Sequence, residues 1–546
     1  MAFSRMTRYA AIAAAAALAL AGCARAGDDG EGTDGAGGNG SENTETYIAP
    51  GTYKQDEDGG EPVKGGTLTY AEYAETRSLD PTKTIPTASS GGNSLYAVYD
   101  VLVRYNHETG EYDPRLAESV EPNDDFTEWT VKLRPDVKFS DGTDLNADAV
   151  LGSVGYYLQN QGYDLGVIYP LWEGIEKTDD LTVVFKLKDS WATFNDMLGR
   201  GMGFIMAPAA YAGGPDAFEP IGAGAFTLDN YAPGESMTFR ANPNYWDGEP
   251  NIETLRWVWL GSDETKVESF NSGSVQGGYI RKPGLIKDLR ADGVPGQVTL
   301  QNNGNLLMLN AADGRPLANE KVRRAIALAI DPSIIYDRAH DGNGMPGNHL
   351  FATASKWHNA DAEVNAYDPE AATALVEEAK AEGFDGKIGY FGLEDPTARE
   401  EAMVIMAQLE AVGLEIEMEM SRSVADFTSK LFIEKNYDLG KAAVQVTEND
   451  PYQNLYSVYH SQSAANVLSN NDPEMDALIE ELRATPMSDE EAVKDVTKRI
   501  EEHYQQTVPS VTLGGNAPMM FWSKDVYGVV VGNEDMIDFS KAWIKQ

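Results

Sequence analysis

Helix and strand patterns alternate through the second half of the chain, and this order limits its fold more than any other feature. A helical pattern at 368–383 precedes an apolar strand pattern at 386–393, and a helical pattern at 399–413 precedes a strand pattern at 414–421. Residues 437–446 predict a further strand. Alternation of this kind is typical of α/β domains, in which helices cover a sheet. The sequence therefore predicts an α/β fold with mixed sheets.

The first half of the chain also has the patterns of globular structure. Residues 65–73 alternate apolar and polar side chains, which predicts a strand. Residues 129–159 predict a strand, a turn and then a helix with Asn146 as its N-cap. With 546 residues, the chain is longer than one hydrophobic core usually serves, so we expect two or three domains.

The composition is strongly acidic. Lysine and arginine number 43 and aspartate and glutamate number 86, which gives a formal net charge of −43. Nucleic-acid phosphates require a basic surface, and anionic lipid attracts basic segments. The charge therefore argues against nucleic-acid binding and against adsorption to anionic lipid.

The N-terminal residues have the pattern of a targeting segment. Arg5 and Arg8 precede an apolar stretch at 9–22, which is too short to span a bilayer comfortably as a mature helix. Cys23, the single cysteine of the chain, ends the sequence LAGC, which resembles the lipobox of bacterial lipoprotein signal peptides. The alternative is an ordinary secretory signal with a chance cysteine. Residues 24–62 are rich in Gly, Asp and Glu and contain few large apolar residues, which predicts a disordered tether.

Motifs for catalysis, metal binding and nucleotide binding are missing from the sequence. No Gly-x-Ser-x-Gly nucleophile elbow occurs, and the six histidines do not have the paired spacing of a metal site on one helix. No phosphate-binding loop or dinucleotide fingerprint is present either. We therefore expect neither an enzyme nor a protein that holds a cofactor or metal.

Five blocks of sequence occur in the same order as in a known protein family. The blocks are 78–84 (SLDPTKT), 99–150, 220–255 with its GAGAF glycines, 322–335 (VRRAIALAIDPSII) and 538–544 (DFSKAWI). In these blocks the chain resembles the extracellular solute-binding proteins, family 5, of bacterial ABC importers, of the oligopeptide-, dipeptide- and nickel-binding type. The resemblance extends over residues 64–546.

The resemblance implies a periplasmic-binding-protein-like α/β fold with two lobes, an extra inserted domain and a ligand cleft between the lobes. Hinge motion would close the lobes around the ligand. The implied divisions are a lipoprotein signal peptide at 1–22, the lipidated cysteine and tether at 23–62, domain I at 63–97, 219–305 and 507–546, domain II at 98–218, and domain III at 306–506.

The resemblance also implies a function without catalysis. We expect a substrate-binding lipoprotein that captures a peptide or related small solute and delivers it to an ABC permease with its ATPase subunits. It would act as a monomer at the extracytoplasmic face of the cell membrane, held by its lipid anchor. Two alternatives remain open: a sensor of a peptide pheromone or nutrient on the same fold, and a binder of a non-peptide solute such as an oligosaccharide, opine or metal chelate. The missing nucleophile and base disfavour an extracellular hydrolase.

Loops at strand ends supply the candidate ligand-binding residues, because clefts combine apolar walls with a few polar anchors. The candidates are Glu75, Thr76, Arg77, Ser90, Asn93, Asn303, Trp357, His358, Val444, Gln445, Val446, Thr447 and Glu448. Further wall candidates are Ser89, Gly91, Asn302, Asn305, Trp172, Tyr452 and Tyr456.

The segment 442–451 departs from the pattern of the family's peptide binders. The resemblance places Val444 where those proteins carry Trp, Thr447 where an Asp anchors the peptide's amino terminus, and Glu448 at a Tyr. A hydroxyl cannot replace a carboxylate that faces an ammonium group. Strand alternation is expected to turn Glu448 away from the cleft. The sequence therefore predicts either a peptide that is held differently or a non-peptide solute.

Overall fold

The computed structural model describes residues 47–55 and 59–545, apart from the side chains of residues 424 and 425. The predicted signal peptide, Cys23 and most of the predicted tether lie outside the described residues. Within these ranges, the larger sheets have eight, six and four strands, and helices flank them. No helix in this part of the chain is long and apolar enough to span a membrane.

The first sheet mixes parallel and antiparallel pairs. Thr67–Glu72, the strand predicted at 65–73, runs parallel to Thr254–Trp259 and to Gly277–Ile280. The rings of Tyr70 and Trp257 pack edge to face in the core beside these strands, with centroids 5.7 Å apart. In spatial order the strands are Gly51–Tyr53, Gly296–Val298, Met519–Trp522, Gly277–Ile280, Thr67–Glu72, Thr254–Trp259, Ser236–Ala241 and Phe226–Ala232.

The second sheet contains the predicted alternation of helices and strands. Lys387–Leu393 runs parallel to Glu415–Ser421 and to Leu439–Ala442. The helix Pro369–Ala381 precedes these strands, and the helix Pro396–Ala411 connects the first two of them. The predicted α/β class with mixed sheets is therefore confirmed. In spatial order the strands are Met345–Pro346, Ser510–Asn516, Gln301–Leu309, Leu439–Ala442, Lys387–Leu393 and Glu415–Ser421.

The third sheet is antiparallel and lies, along the chain, between segments of the first. Asn146 caps the helix Ala147–Gln159 as predicted, since its side-chain oxygen accepts from Ala149 N at 3.0 Å. The strands in spatial order are Ala117–Pro122, Glu128–Leu133, Thr182–Leu187 and Trp172–Asp179.

Further helices are Gly92–Tyr99, Leu165–Leu171, Asn195–Leu198, Asp263–Asn271, Pro283–Ala291, Glu320–Ala329, Pro332–Ala339, Val424–Thr428, Pro451–Tyr459, Pro473–Ala484 and Glu490–Thr507. Short strand pairs join Val103–Tyr105 to Tyr112–Pro114, Val526–Tyr527 to Trp543–Ile544, and Val530–Val531 to Ile537–Asp538.

Residues 51–53 are part of the first sheet, so the prediction of a disordered tether through residue 62 is wrong for these residues. Gly51–Tyr53 forms an antiparallel edge strand against Gly296–Val298. The guanidinium of Arg290 lies 4.0 Å from the centroid of the Tyr53 ring. A free sheet edge pairs with backbone that reaches it, whatever the side chains nearby, and composition could not reveal this.

The predicted limits of domains I and III do not follow the strands of the second sheet. Gln301–Leu309 begins before residue 306 and Ser510–Asn516 lies after residue 507, yet the two strands pair with each other in the second sheet. The chain passes between the first and second sheets at 299–301 and again at 516–519. These two passages lie side by side, since Thr299 N donates to the carbonyl oxygen of Pro518 at 3.2 Å.

The GAGAF glycines lie where two stretches of backbone meet. A Cβ atom at Gly222 would stand 2.3 Å from the carbonyl oxygen of Val98, and one at Gly224 would stand 2.4 Å from the Val98 carbonyl carbon. Only glycine fits so close an approach of backbone to backbone. The motif therefore serves the crossing of the chain beside the helix Gly92–Tyr99.

Candidate ligand-binding cleft

A cavity of about 410 Å³ opens between the first and second sheets. Its volume lies in the range of sites for small ligands. The first sheet and its loops contribute Tyr73, Ser89, Ser90, Tyr279, Arg281 and residues 297–300. The second sheet and its loops contribute Gln301, Ala354, Lys356, Gln445, Thr447, Glu448 and Asn449. Pro50, Gly51, Tyr105, residues 107–110, Glu534 and Asp535 also line the cavity.

The segment after the strand Leu439–Ala442 leaves regular sheet geometry, so the predicted strand ends four residues early. Beyond Ala442, isolated hydrogen bonds of 3.0–3.1 Å connect its main chain to residues 302–303. Val444 and Val446 are 3% and 0% exposed in the hydrophobic core and do not line the cavity. Since alternation has ended, Thr447 and Glu448 both line it. The prediction that Glu448 turns away from the cleft is wrong for this reason.

Glu448 is held in the cavity wall by hydrogen bonds from two other segments. Its Oε1 accepts from Asn302 Nδ2 at 2.5 Å and from Ser355 Oγ at 2.7 Å, and its Oε2 accepts from Lys356 N at 3.0 Å. Its carbonyl oxygen accepts from the indole of Trp357 at 3.0 Å. The carboxylate therefore connects the loop 355–357 to the segment 442–451, and its hydrogen-bonding capacity is largely used within the protein.

The loop after the strand Thr67–Glu72 turns away from the cavity beyond Tyr73. Glu75 accepts a hydrogen bond from the Tyr231 hydroxyl at 2.6 Å, and this bond lowers the pKa of Glu75. Thr76 is buried, and the side chain of Arg77 is exposed to solvent. None of these three predicted residues lines the cavity, because the loop is hydrogen-bonded to the hairpin at residues 226–241.

The side chains of Asn93 and Asn303 are buried and form hydrogen bonds with neighbouring elements. Asn93 Nδ2 donates to Glu72 Oε1 at 3.1 Å. Asn303 Nδ2 donates to the Tyr459 hydroxyl at 2.6 Å, and its Oδ1 accepts from Thr512 Oγ1 at 2.9 Å. Both side chains are at most 1% exposed, so neither can reach a solute in the cavity.

Trp357 and His358 also lie behind the wall. Trp357 is 2% exposed, and His358 Nδ1 is 3.0 Å from the carbonyl oxygen of Phe351. Of the thirteen predicted residues, all within the described part of the chain, four line the cavity: Ser90, Gln445, Thr447 and Glu448. The further candidate Ser89 lines it as well, whereas Gly91, Asn302, Asn305, Trp172, Tyr452 and Tyr456 do not.

Sequence reasoning missed most of the charged groups in the cavity wall. Arg281 directly follows the strand Gly277–Ile280, and Lys356 precedes a predicted site residue by one position. Glu534 and Asp535 come from a turn near the C-terminus. The Gly-Asn pair at the start of this turn is its only local sequence signal. This signal predicts a turn but not which part of the molecule the turn faces.

The cavity wall carries both signs of charge. Burial raises the pKa of Glu534 to about 7 and that of Asp535 to about 6. Burial lowers the pKa of Lys356. Arg281 lies 5.5 Å from the centroid of the Tyr73 ring and donates to its hydroxyl at 3.3 Å. The wall therefore offers carboxylates, cations and aromatic rings to a solute.

A buried arginine connects the cavity wall to the third-sheet region. The side chain of Arg200 is 2% exposed and donates to Asp164 Oδ1 at 2.8 Å and to Gln453 Oε1 at 3.1 Å. It also forms an ion pair with Glu534.

Among the residues that the structure describes, no group of three or more His, Cys, Asp or Glu side chains is arranged to hold a metal ion.

Comparison with known proteins identifies the family. A family model described as bacterial extracellular solute-binding proteins, family 5 (middle part), matches residues 111–466, which is more than half of the chain. The chain belongs to the family 5 extracellular solute-binding proteins. The family is extracytoplasmic and binds solutes. The cleft between the two sheets agrees with solute binding.

Similar proteins of family 5 bind different solutes. The dipeptide-binding protein of Escherichia coli (strain K12) is 27% identical over 383 residues, which cover 65% of this chain and 71% of the relative. Heme-binding protein A of Haemophilus influenzae is 26% identical over 385 residues, with coverages of 64% and 69%. The solved dipeptide-binding protein from Pseudoalteromonas sp. SM9913, in complex with Met-Leu, has a TM-score of 0.75 at 20% identity and covers 88% of this chain and 100% of that chain. The last likeness confirms the predicted periplasmic-binding-protein-like fold.

Proposed function

We propose that this family 5 protein captures a peptide or related small solute in the cleft and delivers it to an ABC permease. The observation that carries the proposal is the cavity of about 410 Å³, whose wall combines aromatic rings with charged and amide side chains from both sheets. Walls of this kind hold a solute by apolar contact and orient it with a few polar groups. The dipeptide- and heme-binding relatives support a solute of this class.

Solute binding can be measured by calorimetric titration of the purified chain with free dipeptides, N-acetylated dipeptides, heme, oligosaccharides and opines. We expect saturable binding of at least one class with a Kd in the micromolar range or below. Mass spectrometry should recover the bound solute unchanged. Failure to bind any of these classes, or chemical conversion of a bound solute, would contradict the proposal.

We also propose that solute binding closes the cleft by movement about the passages at 299–301 and 516–519. Both passages run between the two sheets that flank the cavity, and hinge closure of this kind is common in proteins that bind a ligand between lobes. The proposed domains are those predicted, 63–97, 219–305 and 507–546 for domain I, 98–218 for domain II and 306–506 for domain III, except that the strands Gln301–Leu309 and Ser510–Asn516 both lie in the second sheet and so belong to the lobe of domain III.

For the N-terminal segment, we propose that Cys23 carries a lipid anchor. The support is the lipobox-like LAGC sequence after an apolar stretch of 14 residues. Because the thiol is the group that accepts the lipid, Cys23→Ser should move the protein from the membrane pellet to the soluble fraction. Cell fractionation with immunoblotting tests this, with Ser41→Ala as the control from the same segment. Equal pelleting of the Cys23→Ser variant and the unmodified chain would refute lipidation at Cys23.

A further inference from the structure

The cavity wall contains a carboxylate whose charge the described residues do not balance. Asp535 lines the cavity, and the side chains that act on its carboxylate are those of Thr299 and Gln301, which are both neutral. No lysine, arginine or histidine of the described residues forms an ion pair with Asp535. A partly buried carboxylate without a counter-ion is unfavourable for the protein alone.

The turn that presents Asp535 is strained but firmly held. Glu534 and Asp535 have φ angles of 51° and 63°, in the left-handed region that residues with a side chain seldom occupy. Asn533 fixes the turn, since its Oδ1 accepts from Tyr105 N at 2.7 Å and its Nδ2 donates to Asp196 Oδ1 at 2.8 Å. Strain that the surroundings maintain in this way is frequent where a side chain must be aimed at a ligand.

Gln301 provides an independent sign of a missing partner. It lines the cavity at the start of the strand Gln301–Leu309, and its side chain is 5% exposed. Its carbonyl oxygen Oε1 has no hydrogen-bond donor among the described residues. Buried acceptors are nearly always satisfied in folded proteins, so Gln301 Oε1 is an acceptor that a donor in the cavity can reach.

The other three carboxylates that line the cavity already have partners. Glu448 accepts hydrogen bonds from three donors on neighbouring segments. Glu534 forms an ion pair with Arg200, and Glu108 forms one with Lys54. Asp535 is therefore the carboxylate of the four that remains available to a solute.

We propose that Asp535, together with the side-chain carbonyl of Gln301, binds the positively charged group of the solute, a primary ammonium or a guanidinium. These groups carry several N–H donors and no acceptor, so one such group can satisfy both oxygens at once. The assignment rests on the proposed function, because it concerns the same cavity. It also removes the need for a carboxylate at Thr447, since the cation is bound by the turn that carries Asp535 and not by the segment 442–451.

The test compares the unmodified full chain, Asp535→Asn and Asp361→Asn by calorimetric titration at pH 7.5. Asp361 is exposed and lies outside the cavity, so its variant controls for the loss of one negative charge. The probes are free dipeptides, the same dipeptides N-acetylated, and a set of neutral and anionic solutes. We expect the unmodified chain to bind free dipeptides, N-acetylation to weaken binding at least tenfold, and Asp535→Asn to weaken it at least tenfold while Asp361→Asn changes nothing.

Equal affinity of Asp535→Asn and the unmodified chain, or equal affinity for free and acetylated dipeptides, would overturn the assignment. Binding of neutral or anionic solutes alone would overturn it but leave the proposed function standing, whereas binding of no probe would remove both. Ligand-free Asp535→Asn should melt no lower than the unmodified chain, because it loses an unpaired charge. If this variant fails to fold, Gln301→Ala takes its place, with an expected loss of at least threefold that is confined to free dipeptides.

Discussion

Replacing Arg200 with methionine is expected to lower the free energy of unfolding by about 3–5 kcal/mol. The guanidinium is 2% exposed and holds Asp164 and Glu534, which lie on separate segments of the chain. Methionine fills a similar volume, so the loss comes from leaving both carboxylates buried without their shared cation. Urea unfolding at pH 8, followed by tryptophan fluorescence, measures the change.

A surface arginine provides the matched control for this variant. Arg499 also contacts two carboxylates, those of Glu481 and Asp495, but its side chain is 39% exposed. We expect Arg499→Met to cost less than about 1 kcal/mol, since exposed ion pairs contribute little. Similar losses of unfolding free energy for the two variants would show that burial does not determine how much the ion pairs of Arg200 contribute to stability.

The deficit of Arg200→Met should shrink as the pH is lowered from 8 to 5. Burial raises the pKa of Glu534 from 4.5 to about 7, and Arg200 opposes this rise while the negative charges of Asp196 and Asp535 add to it. Without Arg200 the pKa of Glu534 rises further, so the folded variant takes up a proton more readily than its unfolded chain. A carboxyl group whose pKa is higher in the folded state than in the unfolded state stabilises the fold more as the pH falls. Protonation also removes the unpaired charge of Glu534 in the variant.

The features that could be predicted from the sequence are those that depend on neighbouring residues. The helix after Asn146 begins where the N-cap rule places it, and the helix–strand alternation of the second sheet follows from apolar periodicity. The strand Thr67–Glu72 was visible for the same reason. Each of these signals lies within one element, so no knowledge of the packed structure was required.

The cavity wall could be predicted only in part, because distant contacts determine it. The alternation argument at Glu448 assumed a strand through Val446, but pairing ends at Ala442, and donors about 90 and 146 residues away turn the carboxylate inward. Asp535 gave no signal either, since the turn that aims it is held by side-chain bonds to Tyr105 and Asp196. Sequence patterns report local geometry and not which loops meet across a cleft.

Replacing Glu448 with alanine is expected to lower the free energy of unfolding by about 2–4 kcal/mol. Three donors, on Asn302, Ser355 and Lys356, lose their acceptor at once. The loop 355–357 would also lose its connection to the segment 442–451, so we expect solute affinity to fall about tenfold because this wall of the cavity would be poorly ordered. Urea unfolding and calorimetric titration of the same preparation measure the two effects.

Glu108 offers a matched control within the same cavity, because its side chain is 54% exposed and pairs with the exposed Lys54. Glu108→Ala should change the unfolding free energy by less than about 1 kcal/mol. If Glu448→Ala keeps full stability and loses affinity only for solutes with a free ammonium group, then Glu448 is itself the cation anchor and its hydrogen bonds to the loop are incidental. Loss of stability together with equal weakening for free and acetylated solutes would instead mean that Glu448 builds the wall and that the charge contact is made elsewhere in the cleft.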